Sequence, residues 1–232
     1  FTLLVAGFGL HYFATREHLA NEAMARSEAQ RLASESQLRL LRAQLEPHML
    51  FNTLANLRSL VREDAQQAEL MIDQLITYLR SALTASRTET STLSDEFAQL
   101  RAYLEIMSLR MGPRLSYRLD LPADLAQLAL PSMLLQPLVE NAIKHGIEPK
   151  VGPGKVEVIA RRADAGVEIS VTDTGLGLLP DQLGRGPAGG AGGSYGLLHV
   201  RERLQAVYGA QASLALTPSA PAGVCAKVRI PQ

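Results

Sequence analysis

The chain has 232 residues, of which 23 are Lys or Arg and 23 are Asp or Glu, so its formal net charge is zero. This balance excludes the strongly basic surface that usually accompanies nucleic-acid binding, and we expect no nucleic-acid partner. Hydrophobic residues make up 47% of the chain and charged residues 20%, which excludes bulk disorder and indicates a globular protein. The single cysteine, Cys225, cannot form a disulfide within the chain and favours a reducing compartment.

The amino-terminal segment is apolar over residues 1–13 and becomes polar from Arg16 onward. A helix of this length spans about 20 Å, which is less than the roughly 30 Å of a bilayer core. Since the first residue is Phe1 rather than Met, we expect residues 1–14 to be the end of a transmembrane helix of a longer protein. A buried amino-terminal helix is the alternative.

The next part of the chain has helical periodicity. Residues 14–46 contain no Gly or Pro and carry leucines at helical spacing, which predicts one helix with a thin apolar seam, as in a coiled coil. Pro47 should kink this helix or begin a new one. Two further apolar stripes follow, separated by the polar residues 62–66. We interpret them as a helical hairpin, and because a hairpin cannot bury both stripes alone, we expect two copies to form a four-helix bundle.

The pattern changes after a Ser- and Thr-rich segment at residues 86–94, which we interpret as a linker. Ser94 is the predicted N-cap of a helix that runs to about Arg110. Five segments then have strand character, and a turn at residues 164–166 joins two of them. The predicted strands cover residues 115–121, 155–161, 167–172, 212–216 and 226–230, and two helices cover residues 132–145 and 197–208. This order predicts an α+β fold, with helices layered on one sheet.

Glycine is concentrated in one segment, where seven of the thirteen residues from Gly184 to Gly196 are glycine. The segment leads directly into the helix predicted from Leu197. Free N–H groups at the start of a helix favour a bound phosphate. A disordered loop would explain the same glycines, and the GxGxxG spacing of a dinucleotide-binding turn is absent.

A strand end upstream carries a second candidate site. Asp173 ends a predicted strand and is followed by Gly175 and Gly177. The carboxylate can accept a hydrogen bond from an exocyclic amine, and the glycines would allow a flat ring to approach the backbone. An ordinary turn at the end of a strand is the alternative.

A third candidate lies at the end of the helix predicted over residues 132–145. It contains Asn141, Lys144 and His145, and Gly146 is the predicted C-cap. A neutral amide oxygen such as that of Asn141 is a reasonable ligand for Mg²⁺ in a site crowded with phosphates.

The order of these three segments resembles the Bergerat ATP-binding fold shared by gyrase, MutL and histidine kinases. The resemblance implies an α/β sandwich in which Asn141 marks the N-box and Asp173 begins the first glycine box. It implies ATP and Mg²⁺ as ligands, with Asn141 holding the ion. The implied ATP contacts are Asn141, Lys144, His145, Asp173, Gly175, Gly177, Gly192, Gly193, Gly196 and Leu197. Two positions depart from the family pattern, because Val224 replaces the usual Thr after Gly223 and Thr174 replaces the more frequent Asn.

The helical part resembles one branch of this superfamily. The sequence LRAQLEPHMLFN at residues 41–52 is similar to the QxxxPHFLFN signature of LytS-type sensor histidine kinases. Residues 134–146 and 199–204 are similar to the same family, and the resemblance extends over about residues 38–231. Met49 replaces the usual Phe, and Glu46 stands where the family often has Asn.

The LytS resemblance implies that His48 accepts the γ-phosphoryl group of ATP and passes it to an aspartate of a response regulator. We expect Glu46 to orient the imidazole and Asn52, one helical turn after His48, to position a water for dephosphorylation of that partner. The implied protein is a homodimer and the cytoplasmic portion of a bacterial inner-membrane protein. The expected domains are the end of a transmembrane helix (1–14), a signalling helix (15–37), a dimerisation and phosphotransfer domain (38–92) and a catalytic ATP-binding domain (93–232).

Two alternatives remain open at this point. The first is an ATPase of the gyrase or MutL type with the same Bergerat (GHKL) fold. Such enzymes carry a glutamate four residues before the N-box Asn, whereas this chain has Pro137 at that position and Glu140 beside Asn141. A nucleotide-binding scaffold without histidine phosphorylation is the second alternative, and intact His48 and Asp173 argue against it. An anti-sigma-factor serine kinase would have no need of the Pro-His segment.

Overall fold

The structure is a computed structural model that describes residues 47–85, 88–164, 166–177 and 195–231. Within these ranges, the side chains of Pro47, His48, Ala85 and Tyr195 are not described. The predictions for residues 1–46, for Glu46 and for Gly192 and Gly193 lie outside the described residues. Among the described helices, none is both long enough and apolar enough to cross a membrane.

Two helices begin the described part, α1 (Pro47–Glu63) and α2 (Ala65–Ala85). They are separated by Asp64 alone, so the polar link is one residue long rather than the predicted residues 62–66. The side chain of Asp64 explains this abrupt break. Its Oδ1 accepts a hydrogen bond from the backbone N–H of Gln67 at 3.0 Å, and its Oδ2 accepts one from the Gln67 side chain at 3.0 Å. Asp64 therefore acts as an N-cap for α2, and no longer loop is needed.

The next helix, α3 (Leu93–Met111), starts earlier than predicted. Its N-cap is Thr92, whose hydroxyl accepts from the N–H of Asp95 at 3.1 Å, while Asp95 accepts from the N–H of Thr92 at 3.0 Å. The prediction of Ser94 as the cap was wrong, because Thr92 has a carboxylate three residues later and can form the reciprocal capping box.

A small two-stranded sheet replaces part of the predicted linker. Strand β1 (Thr90–Thr92) pairs antiparallel with β3 (Ala129–Pro131). The backbone N–H of Leu93 also donates to the carbonyl of Leu128 at 2.8 Å. This pairing fixes the start of α3 next to the segment that leads into the following helix.

The main sheet has five strands, β2 (Leu115–Asp120), β4 (Gly154–Ala163), β5 (Gly166–Asp173), β6 (Ser213–Pro218) and β7 (Val224–Ile230). Their order in the sheet is β2-β4-β5-β7-β6. The pair β2–β4 is parallel and the other pairs are antiparallel. All five predicted strands are therefore present, and no end is shifted by more than two residues.

Alternate residues of the central strands form the core, including Val158 on β4, Ile169 on β5 and Val228 on β7, all fully buried. Helix α3 contacts β2, and helix α5 (Tyr195–Tyr208) contacts β6. The confirmed fold class is α+β, a helical region followed by a mixed sheet with helices packed on it.

Helix α4 (Gln136–Asn141) is shorter than the predicted helix 132–145. It continues into a π-helical turn at Ala142–Ile147, called the wide turn below, in which the N–H of Glu148 donates to the carbonyl of Ile143, five residues earlier, at 2.8 Å. Gly146 therefore lies inside this wide turn and is not a helix C-cap. Wide turns of this kind occur often at functional sites.

Candidate nucleotide site

Asp173 lies at the end of β5 and is buried, with 3% of its surface exposed. Its Oδ1 accepts a hydrogen bond from the backbone N–H of Gly175 at 2.7 Å. Burial raises the pKa of this carboxyl group, while the N–H groups of Gly175 and Val224 and the charge of Lys150 lower it to a smaller extent. The carboxylate is thus held in place at the strand end by backbone groups.

Three glycines from separate segments approach each other around Asp173. A Cβ on Gly146 would lie 2.7 Å from Asp173 Oδ1, and a Cβ on Gly175 would lie 2.3 Å from the Cα of Gly146. A Cβ on Gly223, where φ is +130°, would lie 1.9 Å from the backbone oxygen of Asp173. No other residue fits at these positions without movement of the backbone or of Asp173. The wide turn after α4, the end of β5 and the turn before β7 therefore meet at one point.

The remaining residues of the first glycine box are close to this point. The backbone N–H of Leu176 donates to the carbonyl of Gly146 at 3.2 Å, which joins the box to the wide turn. Gly177 has a φ of +83°, and a Cβ placed on it would lie 3.6 Å from the nitrogen of Gly223. Gly196 and Leu197 lie in the first turn of α5, which begins two residues before its predicted start.

The N-box residues are placed by α4 and its wide turn. Asn141 is the last residue of α4 and is half-buried, whereas Lys144 and His145 are exposed on the wide turn. Gly146 follows them directly and contacts Asp173. The structure therefore brings the turn that carries Lys144 and His145 close to the strand-end carboxylate of Asp173.

Lys150 also belongs to the candidate site, although no sequence pattern indicated it. Its Nζ donates to the backbone oxygen of Thr174, and its charge lowers the pKa of Asp173. Thr174 is in turn fixed to the start of β4, because its hydroxyl accepts from the N–H of Lys155 at 2.9 Å. A single lysine in a Pro- and Gly-rich turn gives no recognisable pattern, so only the fold shows this contact.

The predicted phosphoacceptor segment lies at the start of α1. His48 is in the first turn of this helix, and Asn52 follows one turn later as a half-buried residue. Between them, Met49 is buried and its sulfur accepts a hydrogen bond from the Thr53 hydroxyl at 3.4 Å. The side chain of Asn56 donates to the backbone oxygen of Arg110 at 3.4 Å, so α1 contacts the end of α3.

A metal ion at this site would depend on few protein ligands. Within the described residues, no group of three or more His, Cys, Asp or Glu side chains is arranged to hold a metal. The amide oxygen of Asn141 is a hard donor of the type that Mg²⁺ prefers, and this ion usually keeps waters and binds substrate phosphates. The Asn141 amide therefore fits Mg²⁺ that arrives with a nucleotide.

Comparison with known proteins separates the chain into two matched parts. Residues 36–115 match the family model described as histidine kinase. Residues 128–232 match the model described as histidine kinase-, DNA gyrase B-, and HSP90-like ATPase.

Named relatives extend this result. The chain is 37% identical over 142 residues to the sensor histidine kinase BtsS of Escherichia coli K12, which covers 61% of this chain and 25% of BtsS. It is 32% identical over 205 residues to the sensor protein LytS of Bacillus subtilis 168, which covers 87% of this chain and 35% of LytS. The chain thus spans about a quarter to a third of the length of these curated relatives.

Among solved structures, the histidine kinase domain of the blue-light activated histidine kinase EL346 from Erythrobacter litoralis is similar. It has a TM-score of 0.50 and 19% identity, and the match covers 84% of this chain and 93% of that domain. At this level of identity the similarity establishes the fold.

Proposed function

Because the chain belongs to the family of LytS-type sensor histidine kinases, we propose that it transfers the γ-phosphoryl group of ATP to His48 and then to an aspartate of a response regulator. The observation that carries this proposal is the convergence of Gly146, Gly175 and Gly223 around the buried Asp173. A carboxylate held at the end of a strand, where three chain segments meet, suits a base with an exocyclic amine.

Adenine recognition is assigned to Asp173. Its ionised carboxylate accepts a hydrogen bond from the amine of the base, while the N–H of Gly175 holds one of its oxygens in place. We assign the phosphate side of the nucleotide to Lys144 and His145 on the wide turn. Gly177 and the first turn of α5 at Gly196 and Leu197 supply backbone groups for the same ligand, and we extend this set to Gly192 and Gly193.

Asn141 would hold a Mg²⁺ ion together with the nucleotide phosphates, and the ion, when bound, would neutralise phosphate charge. The chain's own contribution is to fix the amide at the end of α4. Lys144, three residues after Asn141, would add the charge of its ammonium group to that of the ion.

His48 is the proposed nucleophile. A neutral imidazole is available at pH 7 because its ordinary pKa is about 6.5. A bond forms between a ring nitrogen and the γ-phosphorus while the bond from that phosphorus to the ADP oxygen breaks. Glu46 accepts the N–H of the other ring nitrogen and stabilises the positive charge that develops there. Undiminished autophosphorylation in Glu46→Gln would contradict this role.

The partners follow from the same proposal. Apolar side chains on α1 and α2 are exposed in the single chain, namely Phe51, Leu54, Val61, Leu70, Ile72, Ile76 and Leu83. Covering them with the same helices of a second copy gives a homodimeric four-helix bundle. The response regulator receives the phosphoryl group from His48, and Asn52 positions water for its later removal. We place the chain as the cytoplasmic portion of an inner-membrane protein.

An ATPase is the second candidate, since the ATP-binding family model includes gyrase-like enzymes. Pro137 occupies the position of the water-activating glutamate in those enzymes, and it has no group that can act as a base. Glu140 is hydrogen-bonded to the Gln136 side chain at 2.9 Å, which commits it to a contact within α4. These two residues therefore favour transfer of the phosphoryl group to the protein over hydrolysis of ATP by water.

The test compares two labelled nucleotides with the full chain. We expect label from γ-labelled ATP to remain on the protein, while α-labelled ATP gives none. Rapid release of inorganic phosphate without a labelled protein would support the ATPase instead. Nucleotide binding with neither product would support the scaffold.

A further inference from the structure

Glu96, in the first turn of α3, is an acidic residue buried to 2% exposure. Its Oε1 accepts hydrogen bonds from the backbone N–H of Met133 at 2.6 Å and from the Ser91 hydroxyl at 3.0 Å. Its Oε2 accepts from the N–H of Leu135 at 3.0 Å. A buried carboxylate is costly unless its oxygens are hydrogen-bonded, and here both are.

The two backbone donors lie immediately before α4. Leu135 is the N-cap of α4, so its N–H has no acceptor within the helix, and Glu96 supplies one from a different element while also holding the N–H of Met133 in the segment before the cap. Met133 has a φ of +57°, the one positive value among the described non-glycine residues, so this segment has a distinctive backbone conformation. Glu96 therefore fixes the start of α4 relative to α3.

The other end of the same segment is also bound to α3. Arg110, in the last turn of α3, forms an ion pair with Glu148, which follows the wide turn. Arg114 donates to the backbone oxygen of Lys150 at 2.7 Å. The segment from Leu135 to Glu148 is thus held at both ends by α3 and the turn that follows it.

The residues assigned to the nucleotide phosphates and to Mg²⁺ lie between these two attachments. Helix α4 has six residues, and Asn141 is the last of them. At about 1.5 Å per residue, its first and last residues are less than 10 Å apart along the axis. A displacement of the first turn is therefore transmitted to Asn141 with little loss.

We propose that Glu96 is a positioning residue for the nucleotide site, which sets the place of Asn141 through the start of α4 and does not itself touch ATP. This inference rests on the proposed nucleotide binding. Asp173 lies at the end of β5 with a hydrogen bond from Gly175, and the ion pair of Arg110 with Glu148 holds the adjacent wide turn without Glu96, so we expect adenine recognition to depend on Glu96 far less than the position of Asn141 does.

The proposal predicts different effects of a Glu96 substitution on the binding of two ligands. Adenosine reports on the Asp173 side of the site, whereas the non-hydrolysable Mg²⁺ complex of AMP-PNP also reports on α4 and its turn. In Glu96→Gln one carboxylate oxygen becomes an NH₂ group, which faces a backbone donor and cannot accept from it. We expect affinity for Mg²⁺·AMP-PNP to fall about tenfold, since mispositioned binding groups lose their interactions steeply. Adenosine affinity should change less than twofold.

The control is Glu105→Gln, which makes the same change on the same helix. Glu105 is half-buried and its only described hydrogen bond is a long one from the Tyr117 hydroxyl, at 3.5 Å. We expect both affinities to remain at wild-type values in this variant. Calorimetric titrations of the full chain with each ligand give the comparison, and circular dichroism checks that each variant is folded.

An equal loss of both affinities in Glu96→Gln would overturn the proposal, since it would indicate a structural role only. Unchanged affinities would overturn it as well. If Glu96→Gln does not fold, Glu96→Asp keeps two acceptor oxygens on a shorter side chain. We then expect a weaker but measurable loss for Mg²⁺·AMP-PNP alone, and no loss would overturn the proposal. A wild-type chain that binds adenosine but not Mg²⁺·AMP-PNP would instead contradict the proposed function.

Discussion

Substitution of Gly146 by alanine tests the geometry of the nucleotide site without removing any polar group. The added Cβ would lie 2.7 Å from Asp173 Oδ1, closer than real Cβ contacts, and 3.0 Å from its Cγ, which is tighter than most of them. The carboxylate must therefore turn away, and it then loses its 2.7 Å hydrogen bond from the N–H of Gly175. Hydrogen bonds to charged groups contribute about 1.5–3 kcal/mol, and a displaced carboxylate also meets the adenine amine poorly.

Two effects of opposite sign act on stability in this variant. Alanine in a helical turn is favoured over glycine by about 0.8–1 kcal/mol, whereas the lost hydrogen bond costs about 1.5–3 kcal/mol. We expect the free energy of unfolding to fall by about 0.5–2 kcal/mol, while nucleotide affinity falls by about ten- to a hundredfold. Binding is thus affected more than folding.

The assay for Gly146→Ala is a calorimetric titration with ATP and magnesium, paired with urea unfolding. Gly152→Ala is the control, because Gly152 has a φ of +96° but no atom within 4 Å of an added Cβ. Its backbone strain should lower stability without changing nucleotide affinity. Wild-type affinity in Gly146→Ala would refute the assignment of Asp173 as the group that binds the base.

Three further predictions follow from single contacts. Thr92→Ala should lower the free energy of unfolding by about 1 kcal/mol in urea, and Ser94→Ala should leave it nearly unchanged, because Thr92 forms the capping box. Nucleotide affinity should fall as the pH is lowered through the raised pKa of Asp173, since only the ionised carboxylate accepts from the base. This fall should begin above the pH at which a free aspartate titrates, and a titration with a fluorescent nucleotide between pH 8 and 4 would show it; a constant affinity would contradict it. Because folding raises the pKa of Asp173, this carboxyl group stabilises the unliganded fold at low pH. That stabilisation is lost as the pH rises through the pKa of the folded state. Asn52→Ala should lose dephosphorylation of the response regulator and retain autophosphorylation, and a phosphatase assay with the phosphorylated regulator would detect equal rates if the assignment is wrong.

Local patterns predicted most of the elements that carry the site. Val167, Ile169 and Val171 alternate with polar residues along β5, and this period places Asp173 at the strand end on the buried face. The same alternation predicted the other four strands of the sheet. Strands β1 and β3 were missed because three residues are too few to show a period.

The predicted helix caps were wrong at Ser94 and at Gly146, where more than local sequence decides the role of the residue. Ser94 and Thr92 are both good N-caps, and only the carboxylate of Asp95 at the right spacing selects Thr92. Gly146 has the sequence position of a C-cap, yet it lies inside the wide turn, where its lack of a Cβ allows the close approach of Asp173 and Gly175. Such approaches join residues distant in the chain and leave no local pattern.

The contacts of α3 were also not visible in the sequence. Glu96 looked like an acidic residue in the first turn of a helix, where a negative charge is favourable in any case. Its burial against the N–H groups of Met133 and Leu135 depends on the pairing of β1 with β3. Local sequence therefore did not predict the contacts that hold the start of α4 in place.

The central claim is tested most directly by the chemistry of the labelled protein. The full chain is incubated with γ-labelled ATP and magnesium, and the labelled protein is then treated with acid or with alkali. We predict a label that is lost in acid and stable in alkali, as for phosphohistidine, and that is absent from His48→Gln. Equal labelling of the wild-type chain and His48→Gln would contradict the account.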